Sequence, residues 1–237
     1  MEHKRAIVTG GSQGIGAAIA ETLVKSGYRV LITGRDSQRL DRRREELSQF
    51  GTVYTASGDL AEPDTPRRII AEAQSVLGGL DLLVNNAGSS FSAPFEEGTI
   101  DDWDRIMTVN ARAPYFVCRE ALPILKTSPS PVIIQIGSVV GIKGYVNQSI
   151  YSASKHALAG FTKALAREVQ SDGIRVHMIM PGGVATEMIK SMRPDINTSE
   201  MIQPQEIADW VLFLASRRGN AVVDELQIRR ATKTPWE

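Results

Sequence analysis

Tyr151 and Lys155 stand four residues apart in the run Tyr151-Ser152-Ala153-Ser154-Lys155. On a helix that spacing places one side chain a turn above the other on a single face. A free phenol titrates near pH ~10, too high for a ready base at neutral pH. An ammonium beside it stabilises the phenolate and is expected to lower that value. A stabilisation of about 3–4 kcal/mol would bring the phenol to where it can both give and take a proton. Ser138 follows the run 132–136 after one glycine, and a hydroxyl there can hydrogen-bond and polarise a carbonyl oxygen. Taken singly, each residue has a plainer reading: a Tyr-x-x-x-Lys pair is usually a surface pair, and a serine after a strand is common. Together they suggest proton transfer to a carbonyl or from an alcohol.

A second cluster lies near the start, Thr9-Gly10-Gly11-Ser12-Gln13-Gly14-Ile15-Gly16. Glycines let a backbone turn tightly and come close to a pyrophosphate. The free N–H groups of a following helix then face the anion. A glycine-rich turn with no ligand is the plainer reading. The position of the cluster, after an apolar run and before a helical pattern, favours a dinucleotide. The spacing is not Gly-x-Gly-x-x-Gly: three residues separate Gly10 from Gly14, and one separates Gly14 from Gly16.

Such residues need strands and helices to hold them. Apolar runs at 5–9, 29–33, 52–56, 80–85, 132–136, 174–180 and 222–228 read as strands. Helical spacing covers 15–25, about 36–50, 67–77, about 101–126 (bent near Pro114), 151–169 and 204–216. Asp36 or Ser37 can cap the second helix. Strands alternating with helices demand a parallel sheet with right-handed crossovers. The expectation is one doubly wound, Rossmann-like α/β domain over residues 1–237, with helices on both faces.

With the elements in place, the order of motifs resembles the short-chain dehydrogenase/reductase family, in its short single-domain branch. The glycine spacing carries the likeness first. Asp59-Leu60, Asn85-Asn86-Ala87-Gly88 and Pro181-Gly182-x-x-x-Thr186 follow in order. Asn110, Ser138, Tyr151 and Lys155 match the family's catalytic tetrad. The likeness runs from about residue 5 to 213. The family's extended branch spaces its glycines differently, which argues against an epimerase or dehydratase.

The resemblance implies NAD(P)-dependent hydride transfer between nicotinamide and a ketone, aldehyde or secondary alcohol. Tyr151 would be the acid/base, helped by the cationic oxidised nicotinamide, and Lys155 would reach the nicotinamide ribose. Asn110 would hold a water joining Lys155 to solvent. Cofactor contacts would come from Gly10, Ser12, Gln13, Gly14, Ile15, Gly16, Arg35, Asp59, Leu60, Asn86, Ala87, Gly88, Tyr151, Lys155, Pro181, Gly182, Val184 and Thr186. Asp59 would contact adenine, and Thr186 the carboxamide. A 3-oxoacyl-(acyl carrier protein) reductase is the alternative within the family. An NADP(H)-sensing regulatory protein is the alternative of another class, and it would not need the tetrad.

The second expected strand leads into Gly34-Arg35-Asp36. In the family, NAD-selecting members resemble one another in placing an acid where Gly34 stands. Without that charge a 2′-phosphate is not repelled, and Arg35 offers it a planar fork of donors. NADP(H) is therefore the expected cofactor, with NAD(H) the alternative. Asp36 reads as a helix cap.

Composition narrows the partners. Lys plus Arg and Asp plus Glu both number 27, so formal net charge is zero. That gives no reason to expect nucleic acid or an anionic membrane. Arg42-Arg43-Arg44 is followed by Glu45 and Glu46 and reads as a solvated helix face. The single cysteine, Cys118, reads as a small buried thiol. His3, His156 and His177 with one cysteine suggest no metal cluster. The apolar stretch at the start is too short for a signal peptide, so the cytoplasm is the default expectation.

Residues 186–203 read either as a mobile lid over substrate or as an ordinary connecting helix and loop. Walls for the substrate are expected from residues 89–95 and 139–147, beside that loop. The tail 224–230 lacks the glycines that many members carry after the last strand, and Pro235-Trp236 is expected against a neighbouring subunit. The fold commonly forms dimers and tetramers through its long helices, so a homodimer or homotetramer is expected by resemblance.

Overall fold

A computed structural model of the chain describes residues 4–192 and 197–235. Seven strands form one parallel sheet: β1 Arg5–Val8, β2 Arg29–Gly34, β3 Val53–Ser57, β4 Leu82–Asn85, β5 Val132–Ile136, β6 Arg175–Pro181 and β7 Glu225–Ile228. Their spatial order is β3-β2-β1-β4-β5-β6-β7. Val8 lies beside both Ile32 of β2 and Val84 of β4, so β1 sits where the winding reverses. A ligand crevice opens at the carboxyl ends of the strands at such a point.

The helices are α1 Gly14–Lys25, α2 Ser37–Ser48, α3 Thr65–Leu77, α4 Ile100–Met107, α5 Ala113–Leu125, α6 Ser149–Glu168, α7 Glu187–Met192 and α8 Pro204–Ser216. The period-two pattern of the strands sorts them into two layers. Ala6, Val8, Leu82 and Val84 pack with Ile19 and Leu23 of α1 and Val211 of α8. Ile7 and Leu83 point the other way, onto Ile69 of α3 and Val117 and Ala121 of α5. The five inner strands are buried on both faces, as their near-continuous apolar runs require, whereas the edge strands β3 and β7 are only partly covered.

The fold class expected from the sequence is the one observed, and most element bounds differ by a residue or two. The long helix expected over 101–126 is different. It is divided by a turn of π-helix, Thr108–Arg112, ahead of Pro114. The last strand begins at Glu225, and Val222 lies outside it. Residues 193–196 of the expected substrate loop, His3 and Trp236 lie outside the described residues. Within that loop, residues 187–192 form α7. Among the described residues no helix is long and apolar enough to cross a membrane.

Candidate active site

The glycine turn is built around two left-handed residues, Gly10 (φ 65°) and Gly14 (φ 53°). Side chains rarely adopt that region. Gly16 has a different reason. A Cβ there would lie 2.2 Å from the Gly10 carbonyl oxygen and 2.4 Å from Asn86 Nδ2. No side chain caps the N-terminus of α1, so its first N–H groups face the crevice unpaired by a cap.

The segment after β4 fastens this turn. Thr9 Oγ1 accepts from the backbone N–H groups of Asn86 and Ala87, each at 3.0 Å. Asn86 Nδ2 donates to the carbonyls of Thr9 (2.9 Å) and Gly10 (3.2 Å). Asn86 therefore borders the crevice while its amide holds the glycine turn in shape.

The crevice encloses about 410 Å³. Ser12, Gln13, Gly14 and Ile15 form one wall; Arg35, Asp59 and Leu60 close one end, and Tyr151, Lys155 and Thr186 the other. Gly10, Ala87 and Gly88 also line it. Gly16 stays behind, packed on Gly10. Pro181, Gly182 and Val184 stand back from the walls: the Gly182 N–H donates to Ile228 at 2.7 Å, and Val184 bridges to Ile202. Gly58, Ser89, Arg105, Val109, Ile136, Gly137 and Glu187 line it as well, and no sequence expectation named them as cofactor contacts. Ile136 and Gly137 were signalled only by the neighbouring Ser138. Arg105, on α4, carried no motif.

At the Arg35 end, Asp36 caps α2 as expected, accepting from the Arg39 N–H at 3.0 Å. A Cβ on Gly34 would lie 3.3 Å from Ser12 Oγ. An acid at position 34 would thus project beside that hydroxyl. Arg35 is highly exposed, and its guanidinium is 4.0 Å from an Asp59 carboxylate oxygen. Exposed pairs at that distance contribute little, so the Arg35 fork is available to an anion. Arg39 reaches across to Gln13 and donates to its amide oxygen.

At the other end, α6 buries Ile150, Ser154, Lys155, Leu158 and Ala159 along one stripe. Leu158 and Ala159 pack on Met178 and Met180 of β6, which turns the Tyr151–Lys155 face toward the crevice. Lys155 Nζ donates to the Ile136 carbonyl at 3.3 Å and lies 5.8 Å from the Tyr151 ring centre. Burial pushes the Lys155 ammonium down to about 8.

The protein's own groups by themselves do not lower the phenol. Burial raises Tyr151 above its ordinary range, and the hydrogen bond with Ser138 offsets this only in part. Desolvation of the anion outweighs the help of the Ser138 hydroxyl. Ser138 also accepts from the Val140 N–H at 3.2 Å, which fixes its position after β5.

Asn110 is almost wholly buried, within the π-helical turn. Its Nδ2 donates to Ser89 O (2.8 Å) and Ser154 Oγ (3.0 Å), and its Oδ1 accepts from the Ser89 N–H (2.8 Å). Ser154 Oγ in turn donates to the Tyr151 carbonyl at 2.7 Å. Both amide donors are thus engaged by protein, leaving the side chain one carbonyl lone pair for a water. The π-turn, a feature frequent at functional sites, bends the chain so that Asn110 reaches both α6 and the loop after β4. Cys118 lies in the core, its thiol pushed up to about 12 by burial.

A family model described as short chain dehydrogenase matches residues 4–197. The chain belongs to the short-chain dehydrogenase family. An uncharacterized oxidoreductase of Staphylococcus aureus is 32% identical over 229 residues, 97% of this chain and 98% of that protein. The crystal structure of a dehydrogenase/reductase from Sinorhizobium meliloti has 39% identity and a TM-score of 0.88, covering 97% of this chain and 94% of that one. A metagenomic short-chain oxidoreductase, solved in complex with NADP, has 31% identity and a TM-score of 0.84, covering 97% and 98%. This short-chain dehydrogenase is thus an NAD(P)-dependent oxidoreductase. The cradle fits such a cofactor: glycines where a Cβ would clash, an uncapped helix N-terminus, and a crevice joining Arg35 to Tyr151.

Proposed function

We propose that this enzyme is an NADP(H)-dependent carbonyl reductase and alcohol dehydrogenase with Tyr151 as its general acid/base. When bound, the nicotinamide supplies or accepts the hydride. The protein's part is to hold the carbonyl and move one proton. In reduction the Tyr151 hydroxyl gives its proton to the carbonyl oxygen; in oxidation the phenolate takes the alcohol proton. Ser138 Oγ donates a hydrogen bond to that same oxygen and polarises it. The Lys155 ammonium stabilises the phenolate left behind. Asn110 is a positioning residue, joining Ser89 to Ser154 and so to the Tyr151 backbone.

The observation that carries the reading is the buried Lys155 Nζ at 5.8 Å from the Tyr151 ring, inside the crevice that the glycine turn also lines. A lysine buried there with no carboxylate partner among the described residues is costly to stability and suits a site that develops negative charge. Preference for NADP(H) is supported by Gly34, which brings no acid beside Ser12, and by the exposed Arg35 fork. Ser12, Gln13, Gly14, Ile15, Ala87 and Gly88 would surround the cofactor, with Asp59 and Leu60 at the adenine and Thr186 at the carboxamide. The test is consumption of NADPH against NADH with a panel of ketones and aldehydes. Reduction with NADPH is expected; an enzyme inert toward every carbonyl with either cofactor would overturn the reading.

A further inference from the structure

The loops leaving β4 and β5 carry apolar side chains where tips of loops ordinarily carry polar ones. Tyr145–Gln148 form a turn closed by the Gln148 N–H on the Tyr145 carbonyl at 3.2 Å. Asn147 takes the left-handed conformation (φ 64°), which suits the third position of a type II turn. This sets Val146 at the tip, 88% exposed, beside a half-exposed Tyr145. On the β4 loop, Phe95 is 83% exposed.

The two loops that carry these side chains are joined. The Ala93 N–H donates to the Asn147 carbonyl at 2.9 Å, which ties the β4 loop to the β5 turn. A Cβ on Gly98 would lie 3.1 Å from Ile150 Cδ1, so the end of the β4 loop packs on the residue next to Tyr151. Both loops leave the carboxyl ends of their strands, where an open α/β sheet binds its ligands. The cofactor crevice has its own lining, and neither Phe95, Tyr145 nor Val146 is part of it.

Charge at this mouth is mixed. The side chains of residues 89–100 charged at neutral pH are Glu96 and Glu97, both exposed, and residues 139–150 add only Lys143. Lys143 and, from α4, Arg105 at 3.5 Å from Ser89 Oγ offset this acidic pair, so the preference for hydrocarbon comes from the apolar trio.

We infer that the substrate is an uncharged carbonyl compound with an apolar body, which lies against Phe95, Tyr145 and Val146 while its carbonyl meets Tyr151 and Ser138. This rests on the proposed carbonyl chemistry. Each methylene covered by the mouth raises kcat/KM, about two- to fourfold where burial is partial to full.

The experiment uses the full chain with saturating NADPH and methyl ketones of increasing alkyl length. The wild type is expected to gain in kcat/KM with each methylene. Val146→Ser and Phe95→Ser flatten that slope, whereas Val222→Ser, at an exposed apolar residue outside the mouth, leaves it as it was. A flat or falling series, or better turnover of 2-oxo acids of equal length, overturns the inference while leaving carbonyl reduction intact. A changed oligomeric state in Val146→Ser with an unflattened slope assigns the surface to a second copy and also overturns it. Failure to reduce any carbonyl overturns the reduction chemistry itself, and this inference with it.

Discussion

Lys155 Nζ lies one helical turn from Tyr151, 5.8 Å from its ring centre, and is anchored to the Ile136 carbonyl at 3.3 Å. Burial acts on the two in opposite directions, raising the phenol and lowering the ammonium to about 8. At neutral pH the pair is therefore phenol and ammonium, the form that gives a proton. As pH rises through about 8, Lys155 loses its charge and with it the support for the phenolate. Carbonyl reduction is expected to be flat from pH 6 to 7 and to fall above about 8, read as kcat/KM against pH. A reduction rate that climbs from pH 7 to 9 would contradict this assignment.

Gly34 and Arg35 control which cofactor fits. Replacing Arg35 with Ala removes charge-assisted hydrogen bonds worth about 1.5–3 kcal/mol, so KM for NADPH should rise by roughly tenfold or more. KM for NADH should change by less than about twofold, because the 2′-hydroxyl offers no charge to the guanidinium. Gly34→Asp should move preference toward NADH, since the acid would stand beside Ser12 Oγ. Equal effects of Arg35→Ala on both cofactors would refute the NADP(H) preference.

Gly16 is held by Gly10 and Asn86. A methyl at Gly16 meets a backbone oxygen at 2.2 Å, which cannot move without opening the turn. Overpacking of this kind costs about 1–3 kcal/mol, a fall in Tm of roughly 2–10 °C at this chain length. Gly16→Ala is therefore expected to lower Tm and weaken NADPH binding together, as measured by thermal shift with and without cofactor. Unchanged affinity would separate the turn from the cofactor.

The opposite end of the sheet offers a test of stability alone. Arg5 forms a bidentate pair with Asp81, both contacts at 2.9 Å, and Ser128 adds a donor at 2.6 Å. Burial raises the Asp81 carboxyl, but these hydrogen bonds more than offset it and hold it below its ordinary 3.8. A carboxyl lowered by folding stabilises above the unfolded value, and that contribution is lost as pH falls through the folded one. Asp81→Asn should cost about 1–3 kcal/mol at pH 7, with the difference from wild type narrowing as pH falls below the ordinary carboxyl value of 3.8. Urea denaturation at the two pH values reads both numbers. A gap that persists in acid would show that shape, not charge, holds this corner.

Much of the fold was legible because its signals are local. Buried parallel strands such as 132–136 read as unbroken apolar runs, and a helix such as 204–216 announces itself with Pro204 and a helical stripe. The π-turn around Asn110 was not legible. It arises because Asn110 must reach Ser89 and Ser154 at once, a requirement set by two distant elements. The effect of burial on Tyr151 is not legible for a related reason: spacing places Lys155 beside the phenol but says nothing of how deeply both are buried. Asn86 shows the limit of motif reading. Its motif points to the cofactor, whereas its amide is engaged by Thr9 and Gly10. Arg105 reaches the crevice from α4 with no motif to mark it.

The proton donor is the centre of the account, and one substitution isolates it. Tyr151→Phe keeps the ring and its packing and removes only the hydroxyl. Steady-state reduction of a carbonyl substrate should fall by about 10²–10⁴-fold. NADPH affinity, read by fluorescence titration of the same protein, should stay within about threefold, well inside the ~1.4 kcal/mol that a tenfold change represents. Turnover that persists at the wild-type rate in Tyr151→Phe, with NADPH bound, would contradict the assignment of Tyr151 as the acid/base.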